Sequence, residues 1–173
     1  MPVDELEEMI ALAKSQLGRI KALCAQVGLK YVELPDNMFG PGVAVGFGDA
    51  GYVMLSVMGG GNEGRLMITG GILKDIKQDR LAALNACNSF TSGNTLFPVY
   101  LHDAPNGWSL LMQLTYPIDL LLDNPDYFSL VVRTTPQMVT QHRAELAEKY
   151  DLAGQPWLWT DEDLNMLLAK SLA

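Results

Sequence analysis

The side chains able to do acid–base, nucleophilic or metal chemistry are few and scattered. There are two histidines, His102 and His142, and two cysteines, Cys24 and Cys87. His102 is followed by Asp103, but neighbours on a strand point to opposite faces, so they do not make a base with its orienting carboxylate. A histidine standing alone is more often structural than catalytic. Metal binding needs converging ligands. No set of His, Cys and carboxylate residues here has that spacing, and neither cysteine sits in a Cys-x-x-Cys or Cys/His pattern. Ser56, Ser89 and Ser109 lack a nucleophile-elbow context. The glycine-rich stretch from Gly59 to Gly64 lacks the Gly-Lys-Ser/Thr ending of a phosphate loop, and a strand pattern follows it rather than a helix. A hairpin turn is the expectation there. Asp161-Glu162-Asp163 suits the positive end of a short helix. No catalytic residue, metal or cofactor is assigned, and the expectation is a protein that is not an enzyme.

A binding surface is better supported. Leu96–Asp103 and Trp108–Thr115 read as strands joined across Ala104-Pro105-Asn106-Gly107. If Asp103 faces Trp108, then Leu101 faces Leu110, Val99 faces Met112 and Phe97 faces Leu114, all on one apolar face. The other face is mixed: Tyr100 opposite Leu111, His102 opposite Ser109, and Pro98 opposite Gln113. Tyr100, His102, Leu111 and Gln113 are the candidate binding residues. Pro98 has no N–H to give to a ladder, so its strand is either at a sheet edge or has its free side outward at that position; an extended peptide can add to such an edge.

These residues need a scaffold, and the rest of the chain supplies one. At 173 residues, 49% hydrophobic and 18% charged, the chain is expected to fold as one α+β domain over residues 1–150 with a helical tail at 151–173. Residues 4–28 carry Leu6, Ile10, Ala13, Leu17, Ile20, Cys24 and Val27 at steps of four and three, an apolar helical stripe stopped by Gly28. Heptad spacing leaves a subunit contact open as well as packing on the sheet. Short strand patterns follow at 30–34, 43–47, 52–58 and 65–69, and Gly70-Gly71-Ile72-Leu73 breaks them. A second helix covers 79–90. Asn124-Pro125 signals a third, with Asn as cap. Pro136 either kinks it or lets Thr135 cap a new one. Trp157-Leu158-Trp159 makes the tail too apolar to hang free, so it packs on the domain or on a second subunit.

The order is α-β-β-β(-β)-α-β-β-α, an antiparallel sheet flanked by helices. Together with Leu84-Asn85-Ala86-Cys87-Asn88, Leu96–Leu101 and Leu110–Ile118, it resembles the type III secretion chaperone-like superfamily. That superfamily includes the bacterial YbjN-like proteins and their actinobacterial chaperone-like relatives. The resemblance implies a small monomeric or dimeric adaptor that binds a protein or peptide segment.

The net charge of −8 and sequence pI of about 4.6 argue against nucleic acid, which needs a clustered basic surface. No run approaches the length of a membrane span, and the N-terminus lacks a cleavable signal pattern, so a cytoplasmic protein with no membrane partner is expected. A second reading is a small-molecule sensor with a pocket between sheet and helices lined by Met54, Met58, Met67 and Met112, since methionine adapts to varied apolar ligands.

Overall fold

The computed structural model describes residues 3–37, 40–58, 64–94, 96–104 and 107–164. Helix α1 spans Val3–Gln26 and is followed by strands β1 (Tyr31–Asn37), β2 (Gly40–Gly46), β3 (Tyr52–Met58) and β4 (Arg65–Ile76). Helix α2 (Arg80–Gly93) leads to β5 (Val99–Ala104) and β6 (Gly107–Pro117). Helices α3 (Ile118–Asp123) and α4 (Pro125–Tyr150) come next, then a two-residue strand, β7 (Gln155–Pro156). Among the described residues the strands form one antiparallel sheet in the order β1-β2-β3-β4-β6-β5, with β7 paired to β4.

Helices α1, α2 and α4 cover one sheet face. Side chains at alternate strand positions point that way: Val43 and Val45 from β2, Val53, Leu55 and Val57 from β3, Leu66 and Ile68 from β4, and Leu114 from β6. They meet Ile20, Leu23 and Cys24 of α1 and Phe128, Val131 and Val132 of α4. A second cluster joins α2 (Ala83, Cys87, Phe90) to Leu110, Met112, Val99, Val139 and Leu146. Each large side chain buried here contributes about 1.5–3 kcal/mol. Gly28, at φ 69°, ends α1 in the left-handed conformation that glycine adopts without strain. The α1 stripe does not pack along its whole length. Ile10 is 45% exposed, because only the later turns, from Ala13 onward, lie over the sheet.

The β5–β6 register is the one read from the sequence. Val99 pairs with Met112, Tyr100 with Leu111, Leu101 with Leu110, His102 with Ser109 and Asp103 with Trp108. Ala104 also pairs with Gly107, so the turn is tighter than the four residues expected. β5 ends the sheet, the first of the two arrangements that Pro98, just before the strand, allowed.

Two local expectations are corrected. Gly70-Gly71-Ile72-Leu73 does not break the sheet; β4 runs through it to Ile76. Two register shifts bend the strand there, one between Gly71 and Leu73 and one between Leu73 and Ile76. Asp75 takes φ 56° inside the second. The consecutive glycines serve opposite faces. A Cβ on Gly70 would lie 2.5 Å from Val139 Cγ2 of α4, and one on Gly71 would lie 2.6 Å from the Trp157 carbonyl oxygen. Thr135 does not cap a new helix either: α4 is continuous through Pro136, and the Thr135 hydroxyl donates to the Val131 carbonyl at 2.9 Å. Asn124 holds the N-cap position of α4 with Pro125 first in the helix, as read; its side chain makes no capping bond, and its amide donates back to the Leu120 carbonyl of α3 at 2.9 Å. The glycine turn at 59–63 lies outside the described residues.

Candidate functional site

The second sheet face carries no helix from α1, α2 or α4. Alternation places Leu34, Ala44, Met54, Ser56, Met67, Thr69, Ser109, Leu111, Gln113, Tyr100 and His102 on it. Residues 155–164 cross this face as a strap. Asp151, left-handed at φ 51°, turns the chain at the end of α4, and Leu152 is buried in the α2–α4 cluster. Gln155 and Pro156 pair antiparallel with Lys74 and Leu73. The Trp157 amide donates to the Ile72 carbonyl at 3.3 Å, and the Tyr52 amide donates to the Leu158 carbonyl at 3.1 Å. The strap therefore continues the line of β3 along the second half of β4. It then packs Trp159 and Leu164 against Leu34, Ala44, Met54 and Leu111. The indoles of Trp157 and Trp159 stack, with centroids 4.6 Å apart. Both close over Gly71, where a side chain would collide with them.

Polar groups fasten the outer end of the strap. The Tyr52 hydroxyl donates to Asp161 Oδ1 at 2.6 Å. This hydrogen bond is the first cause of a Tyr52 pKa above the ordinary tyrosine value. Thr160 and Asp163 cap each other: the Thr160 amide donates to Asp163 Oδ2 at 2.7 Å, and the Asp163 amide donates to Thr160 Oγ1 at 3.3 Å. A surface cleft of about 390 Å³ opens beside Tyr52, Leu158 and Asp161.

The four residues proposed from sequence share this face but not one open surface. Tyr100 is 48% exposed on the edge strand, and His102 and Gln113 are half-buried. Leu111 is 1% exposed and lies in the cluster that holds Trp159 and Leu164, so with the strap seated it meets no partner. What sequence reasoning missed is the socket: Gly51, Tyr52 and Gly71. Its signal was the doubled glycine at 70 and 71, which marks close approach as readily as a break.

The methionines do not line a common pocket. Met54 and Met67 are buried on the strap face, Met112 is buried on the helix face, and Met58 is exposed at a strand end. The cavity beside Val53, Gly70, Pro136 and Val139 is about 10 Å³, the space of one water.

Elsewhere, His142 is buried between the rings of Phe90 and Phe97, and neither ring nitrogen has a hydrogen-bond partner. Burial holds its pKa below the ordinary histidine value, against smaller opposing pulls from Glu145 and the Phe97 backbone. Burial also raises both thiols, Cys24 to about 12. The cysteines are free and belong to different clusters. Among the described residues, no three His, Cys, Asp or Glu side chains are grouped to hold a metal ion. No described helix is long and apolar enough to cross a membrane.

This architecture, a long antiparallel sheet with helices on one face and the β5–β6 hairpin added through β6, is an α+β fold of the YbjN kind. The solved structure of YbjN from E. coli, described as a candidate transcription regulator, has the same fold. It superposes with a TM-score of 0.50 at 12% sequence identity, over 82% of this chain and 96% of that one. No protein-family description matches the sequence, and no curated protein matches it.

Proposed function

We propose that this chain is a non-enzymatic adaptor that holds an extended segment of another protein, chaperone-like in manner. The observation that carries the reading is the outer edge of β5. This strand ends the sheet. At its start the Val99 N–H donates to Thr91 Oγ1 of α2, and the Val99 carbonyl accepts from Thr91 and Cys87. The stretch open to an added strand is therefore the later one, beyond Val99, where the edge has no neighbouring strand. Tyr100, half exposed beside that edge, offers an aromatic anchor. An added strand gains main-chain hydrogen bonds along the edge and reads side chains at every second position, which fits an adaptor for an unfolded segment. His102 and Gln113 flank Tyr100 on the same face.

The test is capture of partners from the native extract by the immobilised full chain, identified by mass spectrometry, followed by affinity measurement with the recovered partner. Tyr100→Asp is expected to weaken binding about tenfold or more, as loss of an aromatic anchor does, while leaving the circular dichroism and melting curve in place. Unchanged affinity in that variant would remove β5 as the binding edge.

A further inference from the structure

We propose that the sheet face beneath residues 157–164 is a docking surface for an extended, basic, tryptophan- and leucine-bearing segment of a partner protein, and that the strap is a resident stand-in which that segment displaces. The inference rests on the adaptor reading and specifies its partner. The strap itself displays the chemistry the face accepts. It enters by strand pairing at Gln155 and Pro156, seats two stacked indoles over Gly71, and buries Leu164 against Leu34 and Met54.

The fit of the strap is incomplete. Among the described residues, the buried hydroxyls of Ser56 and Thr69 on this face have no hydrogen-bond partner, and the Trp159 indole N–H, brought by the strap, has none either. Most buried polar groups are paired, so a segment placing amide or carbonyl groups over Thr69 and Ser56 gains bonds that the strap does not make. Charge acts in the same direction. Residues 151–164 contain four carboxylates (Asp151, Asp161, Glu162 and Asp163) and no lysine or arginine. They lie on a body, residues 1–150, that has 16 carboxylates against 11 lysines and arginines. A basic segment is attracted where the strap is repelled. The surface is also continuous with the β5 edge, because buried Leu111 pairs directly with exposed Tyr100.

The experiment uses the full chain and a fluorescein-labelled peptide with the sequence of residues 151–164 carrying D161K, E162K and D163K. Fluorescence anisotropy is read for the wild type, for Y52F, and for K74C/Q155C in oxidised and reduced forms. Lys74 and Gln155 are directly opposite in the ladder, so a disulfide there pins the strap, and the native cysteines are buried away from it. Saturable binding to the wild type is expected. Y52F, which loses the bond to Asp161, is expected to bind about fivefold tighter, because more molecules have the face open. The oxidised lock is expected to bind at least about tenfold weaker, because its strap competes as a tethered ligand, and reduction should restore binding. Absence of saturable binding to both wild type and Y52F overturns the proposal. So does equal binding to locked and reduced protein, or tighter binding by the unmodified acidic peptide. An intermolecular K74C–Q155C disulfide also overturns it, by showing a second copy's strap on the face. Partner capture that depends on Tyr100 but ignores the lock would end this inference and leave the adaptor reading standing; peptide binding that depends on the lock while Tyr100→Asp is silent would do the reverse.

Discussion

Gly71→Ala probes a close approach between strap and sheet at a glycine of ordinary backbone conformation. The new methyl would lie 2.6 Å from the Trp157 carbonyl oxygen, 2.9 Å from its Cγ and 3.0 Å from Trp159 Nε1. One of these atoms is backbone, held by the strand pairing of β7, so the clash cannot be relieved by a rotamer change alone. Overpacking of this kind costs about 1–3 kcal/mol. Against it stands the gain of about 0.5–1 kcal/mol from replacing a strand glycine. Gly71 is not among the glycines with positive φ, so alanine fits its backbone. The net expectation is a loss of about 1–2 kcal/mol, a fall in Tm of roughly 2–8 °C for a chain of this size. The chain can escape the penalty by releasing the strap, so the loss is capped at the free energy of that local opening. Urea titration followed by tryptophan emission separates the outcomes. Trp157 and Trp159 should shift to the red before the far-ultraviolet circular dichroism is lost, whereas Gly70→Ala, pressed against Val139, should move both signals together. A Gly71→Ala protein with wild-type emission and melting temperature would refute the strap as a tightly seated element.

Three further outcomes follow from named groups. Tyr52 has a raised pKa because it donates to Asp161, so that bond stabilises the strap fully below about pH 10 and is lost as pH climbs through the raised value; Y52F should flatten the alkaline part of the Trp emission profile. Burial depresses the pKa of His142, so its contribution to stability is complete above about pH 6.5 and falls as pH drops toward the depressed value. His142→Leu should reduce the acid sensitivity seen in urea midpoints between pH 7 and 5, roughly the range where an unfolded histidine takes up its proton. Cys24 and Cys87, both buried with thiols raised by burial, should react with a thiol reagent only at the rate of opening, and readily in denaturant.

The hairpin was legible because two strands of clear alternation meet at a short turn; one register alone put Val99, Leu101, Leu110 and Met112 on the same side. The edge position of β5 was one of the two arrangements that a single chemical fact about Pro98 allowed. The course of β4 was not legible. Glycine is a signal both for chain breaks and for close approach, and the atoms that decide between them belong to Val139 and Trp157, about seventy residues beyond Gly70 and almost ninety beyond Gly71. A separation of about fifty residues likewise hid the burial of Leu111. Its cross-strand partner could be read locally, but Trp159 and Leu164 could not be placed above it from periodicity. The helix start at Asn124-Pro125 was legible, but not which helix the asparagine amide would serve: it can bond the helix behind as well as the one ahead, and here it serves α3.

The strap lies downstream of every strand it covers, and that order has a consequence for synthesis. Leu34, Ala44, Met54 and Leu111 are translated, and β1 to β6 can associate, before Trp157 emerges. Each nascent copy therefore passes through an interval in which an apolar sheet surface is complete but bare. Chains on neighbouring ribosomes meet in that interval, and transiently uncovered surfaces of this kind are where aggregation begins. Slow decoding of the codons leading up to Trp157 lengthens the interval, and a chain arrested before Trp157 never leaves it.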